Sequence, residues 1–261
     1  MTLDLIDTLG QSESPLQSES PPQSGSPRAA TPLAAVALRR DPFRPSEYTG
    51  LLMHALRARA PDFGRGAGLD MGMGSGILLA TMGSLGVEHL VGVDIDPEAI
   101  QAARHLVDEV GLDGRTRLLL GSLWEPLGDE QFDVVVANLP NFAATEPSDP
   151  DHARFWSMGG ADGRLLIDPF IAGLRPHLRD SGVAFMTHNA FAGIAQTEAI
   201  LAWHGLTSRT IQVTTTVLHP MKSALLDQAV RAKSLGTTLT RLGPYEFADV
   251  HVLEIRPTRA A

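Results

Sequence analysis

Three short stretches carry side chains whose types and spacing bear on chemistry. The first is Gly68-Leu69-Asp70-Met71-Gly72-Met73-Gly74-Ser75-Gly76, an acid followed by alternating glycines. Glycines at a strand-to-helix turn let the backbone bend sharply and approach a ligand without a Cβ clash. The pattern is G-x-G-x-G, and the dinucleotide fingerprint would need glycine where Ile77 stands. The loop therefore hugs something other than a pyrophosphate, and Asp70 beside it repels phosphate and suits a cation or an amino group. The second stretch, Val93-Asp94-Ile95-Asp96, follows Gly76 by eighteen residues. An acid at the end of a second strand can hold the two hydroxyls of a ribose. The third is Asn138-Leu139-Pro140-Asn141-Phe142, which follows the apolar run Phe132–Ala137.

These stretches need a scaffold that brings strand ends together, and the surrounding pattern supplies one. Ala67–Met71, Leu90–Val93, Arg117–Leu120, Phe132–Ala137 and Val183–Thr187 read as strands. Ser208–Leu218 and Val250–Ile255 continue the series. Helical periodicity falls on Pro97–Val110, with Asp96 as N-cap and Pro97 in the first turn. It falls also on Leu165–Leu178, Ala190–Trp203 and Met221–Ala232. Strands alternating with helices predict an α/β fold with a parallel, doubly wound sheet, whose ligands sit at the carboxyl ends of the strands.

The chain has 261 residues with 21 Lys+Arg against 30 Asp+Glu, a formal net charge of −9. That field speaks against a nucleic-acid partner. The absence of cysteine excludes disulfides, thiolate metal sites and a cysteine nucleophile. The nine histidines show no metal-ligand spacing, so no metal is expected. No apolar run suits a membrane span and no secretory leader is evident, so a cytoplasmic protein is expected. Residues 11–27 repeat Gln, Ser and Pro around one apolar residue, Leu16. Such a stretch cannot offset its ordering entropy, so residues 1–30 are expected to be a disordered tail and 31–261 the folded domain.

The glycine loop, Asp70 and Asp94 resemble those of class I S-adenosylmethionine-dependent methyltransferases. The resemblance implies a Rossmann-like, seven-stranded doubly wound sheet, mostly parallel with the last strand antiparallel and helices on both faces. It implies S-adenosyl-L-methionine as cofactor, held by Asp70, Gly72, Gly74, Gly76, Asp94, Ile95, Ser122 and Leu123. Gly121-Ser122-Leu123-Trp124-Glu125-Pro126-Leu127 is similar to the family's G-D-L-F-E-P-L, with Ser122 where an acid usually stands and Trp124 read as packing. Asn138-Leu139-Pro140 resembles the N-P-P-Y motif of enzymes that methylate planar or amide nitrogen. An Asn oxygen and a neighbouring carbonyl accept both N–H bonds and orient the nitrogen. Asn138, Leu139 and Pro140 are thus the implied catalytic set. Asn141 replaces the motif's aromatic residue, so Tyr48, Phe142 or Trp156 is expected to stack on the acceptor.

Two further segments narrow the likeness. Pro45-Ser46-Glu47-Tyr48-Thr49-Gly50-Leu51-Leu52 is similar to P-S-E-D-T-F-L-L, and Gly159-Gly160-Ala161-Asp162-Gly163 to G-G-x-D-G, of the glutamine-N5 methyltransferases that modify translation release factors. His188, after the fifth strand, is expected to line the acceptor pocket, and residues 219–245 to form an inserted segment able to cover it. Three acceptors follow: a small-molecule amine, guanidine or amide; a protein glutamine; and an RNA adenine, against which the charge speaks. The altered acceptor motif, the inserted segment and the absence of a helical domain in front of the loop favour the small molecule. A cofactor-binding module without turnover is the non-enzymatic alternative.

Overall fold

The computed structural model describes residues 45–63, 65–144 and 158–258, without the side chains of Asp62 and Met221. The expected tail, residues 1–30, lies outside the described residues, as does Trp156. The elements run α1 (Glu47–Arg59), β1 (Ala67–Met71), α2 (Ile77–Ser84), β2 (His89–Asp94), α3 (Pro97–Glu109), β3 (Thr116–Leu120) and β4 (Phe132–Ala137). They continue with α4 (Ile167–His177), β5 (Leu178–Asn189), α5 (Ile194–Trp203), β6 (Leu206–Val217), α6 (Pro220–Leu225), α7 (Gln228–Ser234), β7 (Leu239–Leu242) and β8 (Tyr245–Pro257).

The strands form one sheet in the order β3-β2-β1-β4-β5-β8-β6, with β7 paired to β8. From β3 to β5 the pairing is parallel, and β8 runs antiparallel to both β5 and β6. This is the expected doubly wound sheet. It gains an eighth strand, since β7 adds four residues to the edge of β8. The strand order reverses between β1 and β4, which opens a crevice at their carboxyl ends.

Two apolar layers sandwich the sheet because side chains alternate across it. Leu69, Met71, Val135 and Phe170 belong to one layer, and Leu79, Met82, Val134, Val136 and Phe185 to the other. Truncating a fully buried Leu such as Leu69 costs about 2–5 kcal/mol.

Local chemistry sets the element ends that matter for the crevice. Asp96 caps α3, its carboxylate accepting the Glu98 N–H at 2.8 Å. Helix α5 begins later than the periodicity implies, because a 3₁₀ turn over Ala190–Ala192 precedes Gly193, whose φ is +85°. The expected single helix Met221–Ala232 is two. Asp227 ends the first and caps the second, accepting the Ala229 and Val230 amides at 2.9 and 3.1 Å.

Candidate functional site

A cavity of about 460 Å³ lies at the reversal point, walled by the turns after β1, β2, β3, β4 and β5 and by the start of α1. Gly72, Gly74 and Gly76 all adopt left-handed φ, +71°, +51° and +77°. A Cβ on Gly72 would lie 3.0 Å from the Leu139 side chain, so the glycine is what lets the loop sit against the strand-4 exit. Gly76, expected to touch the cofactor, is not on the cavity wall. A Cβ there would meet Ala103 at 2.9 Å, so Gly76 serves the packing of α2 on α3 instead.

Asp94 ties the loop to β2. Its carboxylate accepts the Gly74 N–H at 2.9 Å and the Asp96 N–H at 3.0 Å. Each oxygen keeps acceptor capacity toward the cavity, which suits a diol. Burial raises the Asp94 carboxyl above its ordinary value, and these amides offset part of that rise. Asp70 lies beneath the loop rather than on the wall, fully buried, and neither oxygen has a hydrogen-bond partner of good geometry. Burial first, then the neighbouring Asp94 charge, pushes its carboxyl up to about 8. Ile95, Ser122 and Leu123 line the same end of the cavity, with Ile95 exposed and Leu123 at φ +47°. The glycine cradle and the two-handed Asp94 fit a ligand carrying a ribose, as S-adenosyl-L-methionine does. Trp124 is packing, as read: it stacks between Phe170 and His177 and donates its indole N–H to the Phe170 carbonyl.

The other end is built from side chains. Asn138 donates from Nδ2 to Thr49 Oγ1 at 3.3 Å and accepts from Thr187 Oγ1 at 2.8 Å, so its amide is fixed from two elements. The Ser46 N–H also donates to Thr49 Oγ1, at 3.2 Å, which joins the first turn of α1 to the strand-4 exit. Asn141 is buried and laces that exit to β5. Its Nδ2 donates to the carbonyls of Leu139 and Thr187, both at 3.0 Å, and its Oδ1 accepts from the Asn189 amide and side chain. Leu139 and Pro140 line the cavity beside it. Tyr48 lines it too, donating its hydroxyl to Asn189 Oδ1 across 3.4 Å. Burial holds the Tyr48 phenol above its usual range, only partly offset by a bond with Thr216.

Two expected substrate residues fall elsewhere. Phe142 is in the core, edge-to-face with Phe191 at 5.5 Å, and Tyr48 is the aromatic side chain on the described cavity wall. His188 points through the opposite face of β5, away from Thr187 and Asn189, because successive strand residues alternate. It is fully buried, with Nδ1 on the Asn189 carbonyl and Nε2 on Thr197 Oγ1, both at 2.8 Å. A carbonyl only accepts, so Nδ1 carries the proton. Burial lowers the imidazole to about 4, leaving it neutral and structural.

Thr49, Thr187, Asn189 and Lys222 were not read from the sequence as site residues. The period-2 alternation around His188 is the signal that places Thr187 and Asn189 together on the face opposite to it. Lys222 arrives from residues 219–245, where the Asp227 N–H donates to the Ala143 carbonyl at 3.0 Å and Leu226 is buried. Among the described residues no three His, Asp or Glu side chains gather as metal ligands, and no helix is long and apolar enough to cross a membrane.

Comparison with known proteins agrees with this geometry. The model of the ribosomal protein L11 methyltransferase (PrmA) family matches residues 52–141. A release factor glutamine methyltransferase of Geobacter sulfurreducens is 32% identical over 172 residues, 64% of this chain and 57% of that protein. A putative protein N5-glutamine methyltransferase of Methanocaldococcus jannaschii is 29% identical over 132 residues, 49% of this chain and 64% of the relative. The chain thus spans less than two thirds of the length of these relatives. Among solved structures, the E. cuniculi Mtq2–Trm112 complex, responsible for methylation of the eRF1 translation termination factor, superimposes with a TM-score of 0.53. It is 18% identical, covering 82% of this chain and 98% of that one. The ribosomal protein L11 methylase of Lactobacillus delbrueckii does so with 0.50 at 20% identity, covering 82% and 81%. The last two are likenesses of fold. Taken with the sequence matches, the chain resembles S-adenosylmethionine-dependent methyltransferases, among them glutamine-N5 and ribosomal protein L11 methyltransferases.

Proposed function

We infer that this chain is an S-adenosylmethionine-dependent methyltransferase acting on the side-chain amide nitrogen of a protein glutamine. The observation that carries it is the Asn138 amide, fixed between Thr49 and Thr187 on the wall that the glycine loop shares with the strand-4 exit. When bound, the cofactor supplies a methyl group activated on a sulfonium. The chain's own task is then to align a weak nucleophile and keep water away. Asn138 Oδ1 has one lone pair on Thr187 and one left for an acceptor N–H. The Leu139 carbonyl, already accepting from Asn141, or the Pro140 carbonyl takes the second N–H. Held this way, the amide nitrogen cannot rotate away from the methyl. Such alignment is worth up to about 7–11 kcal/mol of barrier when the geometry is near attack.

The amide is favoured over the small-molecule acceptor preferred from sequence alone. The relatives include two named for glutamine methylation as well as ribosomal protein L11 methyltransferases, all with protein acceptors, and the asparagine network is a matched set of amide donors and acceptors. A neutral amide needs no base before transfer: as the methyl leaves the sulfonium and bonds to nitrogen, one N–H proton is released to solvent. His188, the histidine expected there, is buried on the other face. The test uses methyl-labelled S-adenosylmethionine, the full chain and translation release factors alongside a small-metabolite fraction. Label in a glutamine of the protein fraction supports the reading. Label entering small molecules alone, or no label, refutes it.

A further inference from the structure

The acceptor end carries a cation that the methyl-transfer reading does not use. Lys222 is the basic side chain on the described cavity wall. Its ammonium stands 5.8 Å from the Tyr48 ring centroid and 5.7 Å from that of Phe142. The aromatic faces attract it but do not neutralise it. No described carboxylate lies within ion-pair distance; the exposed Glu47 acts on it only as a more distant charge. Burial accordingly depresses the ammonium below its usual value.

The segment is held so that this placement is not accidental. Ser223, next in the chain, donates to Glu246 Oε2 at 2.5 Å, and Arg231 pairs with the same buried carboxylate. Burial would raise the Glu246 carboxyl, but these bonds outweigh it and keep it below its ordinary value. With the buried Leu218 donating its amide to the Glu246 carbonyl at 2.8 Å before Lys222, and Leu226 in the core and the Asp227 amide on Ala143 after it, α6 is anchored on both sides of Lys222. A half-buried ammonium with aromatic walls and no anion is costly unless something that enters the cavity completes it.

We propose that Lys222 is a specificity residue that recognises a carboxylate on the acceptor, near the amide that is methylated. This deepens the reading of a peptide acceptor and rests on it. The carboxylate has two sources in a peptide: an Asp or Glu beside the glutamine, or a chain terminus immediately after it. A positively charged acceptor is disfavoured by the same ammonium.

The test measures binding and transfer separately. Glutamine peptides are titrated into the full chain in the presence of S-adenosylhomocysteine. One arm carries Asp or Glu at each of the two positions on either side of the glutamine, against Asn or Gln. The second ends in a free carboxylate directly after the glutamine, against the carboxamide. The expected result is tighter binding, by about tenfold, for the acidic member of at least one pair. That preference disappears in Lys222→Met and persists in Lys222→Arg, with S-adenosylhomocysteine affinity unchanged. The arm that responds identifies the source. No preference in the native chain, or a preference that survives Lys222→Met, overturns the proposal. So does a loss confined to S-adenosylhomocysteine binding, which would assign Lys222 to the cofactor. Label transfer from S-adenosylmethionine to the same peptides is scored independently. An intact Lys222-dependent preference without label sinks methyl transfer to glutamine and leaves anion recognition standing.

Discussion

The two ends of the cavity are built by opposite means. The cofactor end is made of backbone: a loop of left-handed glycines, tied by its Gly74 amide to one acid at the end of the next strand. Apart from Ser122 and Leu123, its parts lie within about thirty residues of sequence, Gly68 to Asp96. The acceptor end is made of side chains, with Asn138 held by Thr49 and Thr187, Asn141 by Asn189, and Lys222 laid over Tyr48. Those residues come from α1, the strand-4 exit, β5 and α6. A backbone cradle can serve a cofactor whose shape is constant, whereas a side-chain network can be retuned for an acceptor without disturbing it. The two ends should therefore fail separately.

The largest effect is expected at the acceptor end. Asn138→Ala removes the oriented oxygen and lowers turnover about 100-fold, the order associated with misplacement of a reacting group. Cofactor affinity, measured by calorimetry, stays within about twofold. A matching loss of cofactor binding would show that the ends are one structure. The mirror experiment is Asp94→Ala. It deletes the tether of Gly74 and the acceptor for a diol together, and cofactor binding weakens by about 10- to 100-fold, as for loss of one or two hydrogen bonds to a charged group.

The same division explains what was legible beforehand. Asp70, Gly72 and Asp94 announce themselves because a turn that needs left-handed backbone beside a strand end leaves a local trace in sequence. The sheet was legible for the same reason, through strand and helix periods, and only the short edge strand β7 escaped. Thr49, Thr187 and Asn189 carry no such trace, since a threonine near a strand end is ordinary until the fold brings it to Asn138. His188 misled because a histidine after a strand looks chemical, yet one step of alternation turns it to the other face. Phe142 misled likewise: its apolar ring is drawn into the core against Phe191, leaving Tyr48 on the wall. Lys222 lay in a segment read as one helix, Met221–Ala232, which in the fold is two, broken at the Asp227 cap.

Asp70 sharpens the comparison through pH. Its carboxyl is raised from 3.8 to about 8 by burial and by Asp94, so the folded protein binds a proton there that the unfolded chain has lost. Between about pH 4 and 8 this group holds a proton in the native state only, and its contribution to stability falls as pH rises through that window. Asp70→Asn removes the ionisable group. Denaturant melts should show a flatter pH profile between about 6.5 and 8, where His188 no longer titrates in either state, and a gain on the order of a few kcal/mol by pH 8. An unchanged slope would mean that Asp70 is not the group that titrates. His188, on the other face of β5, acts in the opposite direction: burial lowers its imidazole from 6.5 to about 4, so the unfolded chain binds the extra proton and this group makes stability rise with pH between about 4 and 6.5.

A smaller effect is expected from Thr187→Val, which keeps the side chain's shape and deletes the hydroxyl that donates to Asn138 at 2.8 Å. Asn138 then keeps Thr49 as its one side-chain anchor, through a longer bond of 3.3 Å. A neutral hydrogen bond of this kind is worth about 1 kcal/mol, so turnover falls about five- to tenfold. Thr187→Ser, which restores the donor, should recover most of that loss. A structural role for Thr187 would lower stability in both variants without this recovery, so steady-state turnover and thermal melts together separate the two.

The smallest effect is the most discriminating about what Tyr48 contributes. Its hydroxyl meets Asn189 Oδ1 across 3.4 Å, long for an O–H donor, and Asn189 is already engaged with Asn141. Tyr48→Phe should therefore change turnover and acceptor affinity by less than about threefold, because the ring remains. Tyr48→Leu keeps an apolar wall but removes the face that the acceptor and the Lys222 ammonium share. If the ring matters as a stacking surface, Tyr48→Leu raises acceptor KM by about tenfold while cofactor affinity holds. If both variants behave alike, the ring is filler, and the planar acceptor is aligned by Asn138 and the strand-4 carbonyls alone.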